Sequence, residues 1–144
     1  MSLSGSITIN TSSNKIFQNI YNVLKCFNNS SWKYIYNETI TYIDIGNDFN
    51  WKSENYNSFL NDDIISAKTK NKEIVGILFY FAETDIGIDV LIYPTNNKIS
   101  FGLDRNRKTI DYSLITDYSW YLKRIKPVLD ELNIVIHSIE CLDG

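Results

Sequence analysis

The side chains best suited to proton transfer and nucleophilic attack near neutral pH, histidine and cysteine, are scarce in this sequence. His137 is the one histidine, and Cys26 and Cys141 are the two cysteines. If the end of the chain is a strand, His137 and Cys141 share a face with Ile139 between them, which is too far for a direct thiol–imidazole bond. A general base also needs a nucleophile or an orienting partner, and no pattern supplies one. We therefore assign no catalytic residue and expect the chain not to be an enzyme.

The spacing of possible ligands also disfavours metal and phosphate sites. A structural zinc site typically has four cysteine or histidine ligands, and one histidine with two cysteines cannot form such a site without carboxylates. Acidic residues gather around two predicted turns, at residues 44–54 and 83–89, without the spacing of a calcium-binding loop. The six glycines are scattered and form no phosphate-binding loop. We expect no metal and no cofactor.

Asp89 is the carboxylate with the most suggestive position. It is predicted in the middle of a strand, where it would lie opposite Ser100 or Gly102 on the neighbouring strand. Small neighbours around a carboxylate leave room for a ligand. Alternatively, they mark an exposed sheet face on which the charge protects the sheet edge from pairing with another chain. One hypothesis is therefore a small-ligand site or active site formed by Asp89 and Ser100, with His137 as a proton carrier. This hypothesis requires Asp89 and His137 to line the same pocket.

Residues 48–59 place large aromatic side chains in a polar, acidic background. Hot spots of protein interfaces have this composition, with aromatic anchors surrounded by polar groups. Alternatively, the segment folds back as a lid over an open sheet face, and its backbone is either a strand followed by a loop or mostly loop. The candidate partner-binding residues are Asp48, Phe49, Trp51, Glu54 and Tyr56.

The basic stretch from Arg105 to Lys108 is the one candidate contact with nucleic acid. The net charge of −3 argues against this role, because an acidic chain gains little from releasing counterions of a nucleic acid or an anionic membrane. We therefore interpret the stretch as a polar turn, with weak nucleic-acid binding as an alternative, and we expect no membrane partner.

Composition suggests the source and the compartment of the protein. Asn, Ile, Lys and Tyr are abundant while alanine is rare, as in proteins encoded by AT-rich, bacterial genomes, so the ten tyrosines need no functional explanation. The N-terminal residues lack the charged and apolar regions of an export signal. The longest apolar run, residues 74–82, is too short to span a bilayer. We expect a cytoplasmic protein with reduced thiols.

The clearest structural pattern lies in residues 72–104. Residues 74–82 are apolar on both faces, which is typical of a central strand that is covered on both sides. Residues 86–93 and 98–104 alternate, so that Asp89 and Ser100 occupy the less apolar face of the sheet. The short connections between these strands predict antiparallel neighbours.

The flanking sequence supplies two helices and further strands. Apolar residues recur at helical spacing from about residue 14 to residue 27, and again after Thr116, which can cap the second helix. Pro127 falls inside that second pattern and predicts a kink or two short helices. Strands are predicted at residues 6–10, 32–36, 39–45 and 133–142. Residues 62–69 favour a strand, with a helix over residues 57–68 as the alternative.

These elements predict a single α+β domain over residues 1–144, with residues 1–5 as a flexible extension. A two-layer arrangement has an antiparallel sheet of about five to seven strands with two main helices on one face, in the order βα–ββββ(β)–αβ. The other face is partly covered by residues 48–59 or is left concave.

For function, the leading hypothesis is a non-enzymatic protein-interaction domain, such as an immunity protein that neutralises a basic toxin domain. Acidic inhibitors reach basic clefts rapidly because electrostatic attraction steers the encounter. The alternatives are the ligand site around Asp89 and the nucleic-acid contact at Arg105 to Lys108. The sequence leaves the oligomeric state open.

Overall fold

A computed structural model of the chain describes residues 4–11, 20–46, 49–55 and 62–144. These ranges contain eight strands and three helices, which confirms the α+β class but exceeds the predicted number of both elements. In chain order they are β1 (Gly5–Thr11), α1 (Ile20–Asn29), β2 (Trp32–Lys33), β3 (Thr39–Ile43), β4 (Trp51–Asn55), α2 (Asp62–Lys70), β5 (Val75–Phe81), β6 (Gly87–Tyr93), β7 (Lys98–Arg105), α3 (Tyr118–Glu131) and β8 (Ile136–Asp143).

The described strands form one antiparallel sheet in the order β4-β3-β5-β6-β7-β1-β8, and the short β2 also pairs with β5. β5 therefore pairs with β2, β3 and β6 and lies inside the sheet, as its two-sided apolar pattern predicted. β5, β6 and β7 follow one another through tight turns in which Glu83 and Asn97 adopt positive φ angles of 65° and 52°. The ladder of β1 and β8 extends to Ser4, within the predicted flexible extension, because Ser4 exchanges two backbone hydrogen bonds with Gly144.

The described helices pack on one face of the sheet and bury a continuous apolar core. Strand alternation directs every second side chain to this face, and burying each large apolar side chain contributes about 1.5–3 kcal/mol. The apolar faces of the helices pack against these strand side chains. The core includes Ile7, Ile9, Ile77, Phe79, Val90 and Phe101 from strands, and Val23, Leu24, Phe27, Tyr121, Ile125 and Leu129 from helices.

The opposite side of the sheet, hereafter the second face, carries smaller and more polar side chains over β6, β7 and β1. On this face Leu78 lies opposite Asp89, and Asp89 lies opposite Gly102. Over β3 and β5 the residues of the second face pack closely against one another. At Gly76 a Cβ atom would lie 2.5 Å from Ile43 Cδ1, so only glycine leaves room for that side chain.

The predicted strand at residues 62–69 is wrong, because α2 covers these residues. Ile65 and Lys68 are buried one helical turn apart, and Ile65 joins the main core. In a short segment with weak alternation, the sequence pattern does not distinguish the two-residue period of a strand from the 3.6-residue period of a helix. The tertiary contacts of α2 favour the helix. The predicted order is corrected accordingly: a helix divides the middle of the chain into two groups of three strands.

Two predicted features of the last helix also change. Asp117, rather than Thr116, caps α3, because its side chain accepts a hydrogen bond of 3.1 Å from the backbone N–H of Trp120. Of the two outcomes predicted for Pro127, a kink or two short helices, the second is wrong, because α3 is one helix through Pro127. Pro127 lies on the exposed side, and residues on both sides of it, Ile125 and Val128, are buried in the same core, which holds the two parts of the helix together.

Candidate functional site

Two tyrosine rings stack on the second face where β2, β3 and β5 meet. The ring centroids of Tyr36 and Tyr80 are 3.9 Å apart and their planes are inclined by 19°. Tyr80 is held by β5, whereas Tyr36 begins a tight turn in which it exchanges two backbone hydrogen bonds of 3.0 Å with Thr39. Asn37 and Glu38 at the centre of this turn have φ angles of 49° and 62°, as in hairpin turns that follow the twist of the strands. The turn thus fixes Tyr36 against Tyr80.

This tyrosine pair separates two hollows of different size. The smaller hollow has a volume of about 190 Å³, which is below the roughly 300–1,000 Å³ usual for small-molecule pockets. The larger hollow, of about 650 Å³, is open to solvent. Tyr36 and Tyr80 line both. The smaller hollow is completed by Tyr34, Asn37, Thr39, Thr41 and Leu78, and the larger by Lys33, Ile35, Phe81, Ala82, Glu83, Thr84 and Asp85.

Negative charge borders the tyrosine pair. Glu83 and Asp85 line the larger hollow with exposed side chains, and Glu38 is exposed in the turn that holds Tyr36. No ion pair joins any of these three carboxylates to a cation in the described part of the chain. The one lysine of the larger hollow, Lys33, donates a hydrogen bond of 2.9 Å to the Asn28 carbonyl. The hollow therefore offers free acceptors and an aromatic surface.

Asp89 lies two residues after Gly87, the residue of β6 that pairs with Tyr80, and its side chain faces Arg105 of β7. Tyr80, Gly87 and Arg105 form a row across β5, β6 and β7. A Cβ atom at Gly87 would lie 3.0 Å from Arg105 Cβ and 3.1 Å from Tyr80 Cε1, so the glycine allows both side chains to approach. Arg105 Nε faces Asp89 Oδ1 at 3.6 Å, an ion-pair distance that is longer than a hydrogen bond.

The Asp89 carboxylate is only partly compensated. Its Oδ1 atom is inaccessible to solvent and has no hydrogen-bond partner among the described residues. Desolvation raises the pKa of Asp89 above its usual value, although Arg105 opposes this effect. Gly102 lies directly opposite, where a Cβ atom would lie 3.3 Å from Asp89 Cβ. Because Gly102 has no side chain, the Asp89 carboxylate has room on this face.

The predicted ligand site of Asp89, Ser100 and His137 is brought together only in part. Ser100 lies on the second face one strand from Asp89, opposite Leu91. His137 lies on β8, which is separated from β6 by β7 and β1, so its strand is about 14 Å from that of Asp89. His137 is also exposed beside the irregularity at the start of β8. The structure therefore forms no shared pocket for Asp89 and His137.

The predicted aromatic partner surface is likewise divided. Trp51 lies opposite Ile43 and belongs to the second face, where it is half-buried. Glu54 points to the other side of β4 and accepts a hydrogen bond of 2.9 Å from the Tyr42 hydroxyl. Phe49 is exposed before the strand begins. Asp48 and Tyr56 lie outside the described residues.

Most of the basic stretch is engaged within the protein. Arg105 pairs with Asp89, as described above. Arg107 Nη1 donates hydrogen bonds to the Leu114 carbonyl at 2.9 Å and to Thr116 Oγ1 at 2.7 Å. The backbone N–H of Lys108 donates to the Tyr121 hydroxyl at 2.9 Å. These contacts hold the connection between β7 and α3.

Sequence reasoning missed the tyrosine pair, although one signal for it was present. The predicted strands at residues 32–36 and 39–45 leave only Asn37 and Glu38 between them, and a two-residue turn returns the chain antiparallel to itself. It did not reveal that Tyr36 would reach Tyr80, because that contact depends on β2 and β3 both pairing with the same edge of β5.

No family model matches the sequence, and no match was found among curated proteins or solved structures. None of the described helices is long and apolar enough to cross a membrane. Within the described ranges, no three His, Cys, Asp or Glu side chains are grouped so that they could hold a metal ion.

Proposed function

We propose that this chain is a non-enzymatic binding protein that recognises a basic protein through the tyrosine pair and its surrounding carboxylates. The observation that carries the proposal is the Tyr36–Tyr80 stack between two hollows, with Glu83 and Asp85 unpaired at the rim of the larger one. Rigid aromatic anchors beside small hollows are characteristic of interface hot spots.

The chemistry of this surface fits an arginine or lysine of the partner. A cation placed on a tyrosine face gains about 0.5–2 kcal/mol from its attraction to the ring. Carboxylates nearby can accept its N–H groups, and charge-assisted hydrogen bonds of this type are about twice as strong as neutral ones. The net charge of −3 adds long-range attraction for a basic partner.

A basic toxin domain in the bacterial cytoplasm is the partner class that this proposal favours, with the chain acting as its immunity protein. Such an inhibitor requires fast association and a rigid surface. Electrostatic steering supplies the fast association. The sheet supplies the rigid surface, because Tyr80 lies on an internal strand and Tyr36 is held by a tight turn.

The test is co-expression with the basic protein encoded beside this gene, followed by calorimetry on the purified pair. Tyr36→Ala and Asp85→Lys are each expected to weaken binding about tenfold or more, which corresponds to about 1.4 kcal/mol. Tyr112→Ala and Asp111→Lys are matched controls, because both residues are exposed in another loop. Wild-type affinity is expected to fall with added salt.

Two results would contradict the proposal. One is a complex whose affinity is unchanged by both Tyr36→Ala and Asp85→Lys while the variants remain folded by circular dichroism. The other is the absence of binding to each basic protein encoded in the neighbourhood of the gene.

A further inference from the structure

β8 is an outer strand of the sheet, and its outer edge has few of the features that usually keep such strands apart. Exposed edges are commonly shielded by charged side chains, above all lysine, by proline, by bulges or by short length. β8 extends over Ile136–Asp143 with no lysine or proline, and its one irregularity in pairing with β1 lies near its start. β4, the outer strand at the opposite edge, is shorter and exposes Lys52 and Glu54. Among the described strands, β8 pairs only with β1.

The hydrogen bonds between β8 and β1 determine which backbone groups of β8 face outward. Ser4 and Gly144 exchange two backbone hydrogen bonds of 2.8 Å at the end of this ladder. Hydrogen-bonded and non-hydrogen-bonded positions alternate along an antiparallel pair. Counting back from Gly144 along the regular register, the N–H and C=O groups of Ile139 and Cys141 point away from β1. Among the residues that the structure describes, these groups have no hydrogen-bond partner, and they form an open edge.

We infer that this edge binds the β8 strand of a second copy of the chain, antiparallel, with Ile139 of one copy opposite Ile139 of the other. The two isoleucines then exchange a pair of backbone hydrogen bonds, and the sheet continues across a two-fold axis. Strand addition at an exposed edge is a general mode of association in which the main chain provides affinity and side chains set the register.

The side chains of β8 favour this register over its neighbours. It places Ser138 opposite Glu140 of the second copy at a non-hydrogen-bonded position, where side chains are closest and the hydroxyl can donate to the carboxylate. The register centred on Glu140 would oppose two glutamates at the two-fold axis, and like charges in that position are destabilising. The register centred on Ser138 would extend into the irregular start of β8.

The apolar surface near β8 supports the same arrangement. Ile139 is 41% exposed although its partner on β1, Ile9, is fully buried. Leu114 and Ile115 are 67% and 55% exposed, in the loop that ends where the Thr116 N–H donates to Asp143 at the end of β8. Val135, 59% exposed, precedes β8. In the antiparallel dimer, the end of β8 that lies next to this loop in one copy is placed beside Val135 of the other copy.

The first test is the mass of the purified chain, measured by light scattering or sedimentation at increasing concentration. We expect a dimer that dissociates on dilution. Ile139→Lys places two ammonium groups against each other at the two-fold axis and is expected to weaken dimerisation about tenfold or more. Ser53→Lys, on the β4 edge, is the control and should leave the dimer unchanged. Thermal unfolding of both variants checks that they fold.

The second test is disulfide cross-linking, which reports the register. In a Cys26→Ser, Cys141→Ser background, the variants Ser138→Cys and Glu140→Cys are oxidised separately and as a mixture. The proposed register predicts a cross-linked dimer only in the mixture, since residue 138 of one copy meets residue 140 of the other. Cα atoms at a non-hydrogen-bonded position are about 4.5 Å apart, which suits a disulfide.

The inference is overturned if the wild-type chain stays monomeric at all concentrations, or if Ile139→Lys dimerises as tightly as the wild type. Cross-linking of Glu140→Cys alone would reject the register. A dimer disrupted by Ser53→Lys would place the interface at the other edge of the sheet. None of these outcomes depends on the tyrosine pair, so the inference and the proposed function are tested independently.

Discussion

The ammonium group of Lys68 lies 3.4 Å from Glu73 Oε1 inside the protein, where the two side chains are only 1% and 6% exposed. The same ammonium donates a hydrogen bond of 2.8 Å to the Asp44 carbonyl, and Glu73 Oε1 accepts one of 2.7 Å from the Gly46 N–H. The pair therefore connects the end of α2 to the chain that follows β3. It explains how a helix in the middle of the sequence is attached to the sheet.

Removing the cation of this pair should destabilise the protein strongly. In Lys68→Met the Glu73 carboxylate stays buried without its counter-ion, and such changes cost about 3–5 kcal/mol. Urea unfolding measures the loss. The exposed pair of Lys126 and Asp130 is the control, because Lys126→Met should cost less than about 0.5 kcal/mol. The double variant Lys68→Met/Glu73→Leu should lose less than the sum of its single changes; strict additivity would mean that the pair does not interact.

Glu73 should also make stability depend on pH in the acid range. Burial raises the pKa of its carboxyl, but the Gly46 N–H and Lys68 outweigh burial, and the pKa lies below the usual 4.5. The unfolded chain then binds the proton more readily, so the contribution of Glu73 is present above about pH 4.5 and is lost as the pH falls through the folded pKa. The free energy of unfolding of Glu73→Gln, followed against pH, should show a smaller acid-induced loss than the wild type. Parallel curves for the two proteins would contradict this assignment.

Asp89 should have the opposite effect, and Asp89→Asn should stabilise the protein at neutral pH by about 1 kcal/mol, because the substitution removes a partly buried negative charge whose desolvation Arg105 offsets only in part. Desolvation raises the pKa of Asp89 above 3.8 against the effect of Arg105, so the folded state holds the proton more tightly. Stability therefore falls as the pH rises from about 3.8 through the folded pKa. The melting temperatures of wild type and variant should converge at low pH. A variant that is less stable at neutral pH would show that the Arg105 pair outweighs desolvation.

A side chain added at Gly76 should destabilise the protein while Ile43 is present. Gly76→Ala would place Cβ 2.5 Å from Ile43 Cδ1 and 2.8 Å from Ile43 Cγ1, and overpacking of this type costs about 1–3 kcal/mol. Urea unfolding of Gly76→Ala, Ile43→Ala and the double variant measures the coupling. The double variant should be more stable than the sum of the single losses predicts. No coupling would mean that the backbone moves to accommodate the methyl group.

Local pattern predicted the elements whose periodicity is strong. The strands now seen at Gly87–Tyr93 and Lys98–Arg105 were expected within one residue at each end, because each alternates clearly between apolar and polar positions. The segment at residues 62–69 was mispredicted, because its few apolar residues suit either period. The buried contacts of Ile65 and Lys68 decide for a helix, and those contacts come from distant parts of the chain.

The candidate site likewise has features that local pattern predicted and features that only tertiary contacts determined. The sequence placed Asp89 on the less apolar face and named Gly102 as a possible opposite residue, both of which follow from strand period and short connections. It could not place Tyr36 against Tyr80 or separate His137 from Asp89, because strand order across the sheet is not encoded in local alternation.

The sequence by itself thus determined the α+β class, the central position of β5 and the polarity of the second face, since each depends on periodicity and short turns. Tertiary structure alone decided which strands became neighbours. β2 and β3 share one edge of β5, which creates the tyrosine pair. β1 inserts between β7 and β8, which moves His137 away from Asp89 and leaves β8 with a free edge. Pairing of strands far apart in sequence is set by how the whole apolar surface is buried, and that is a property of the complete chain.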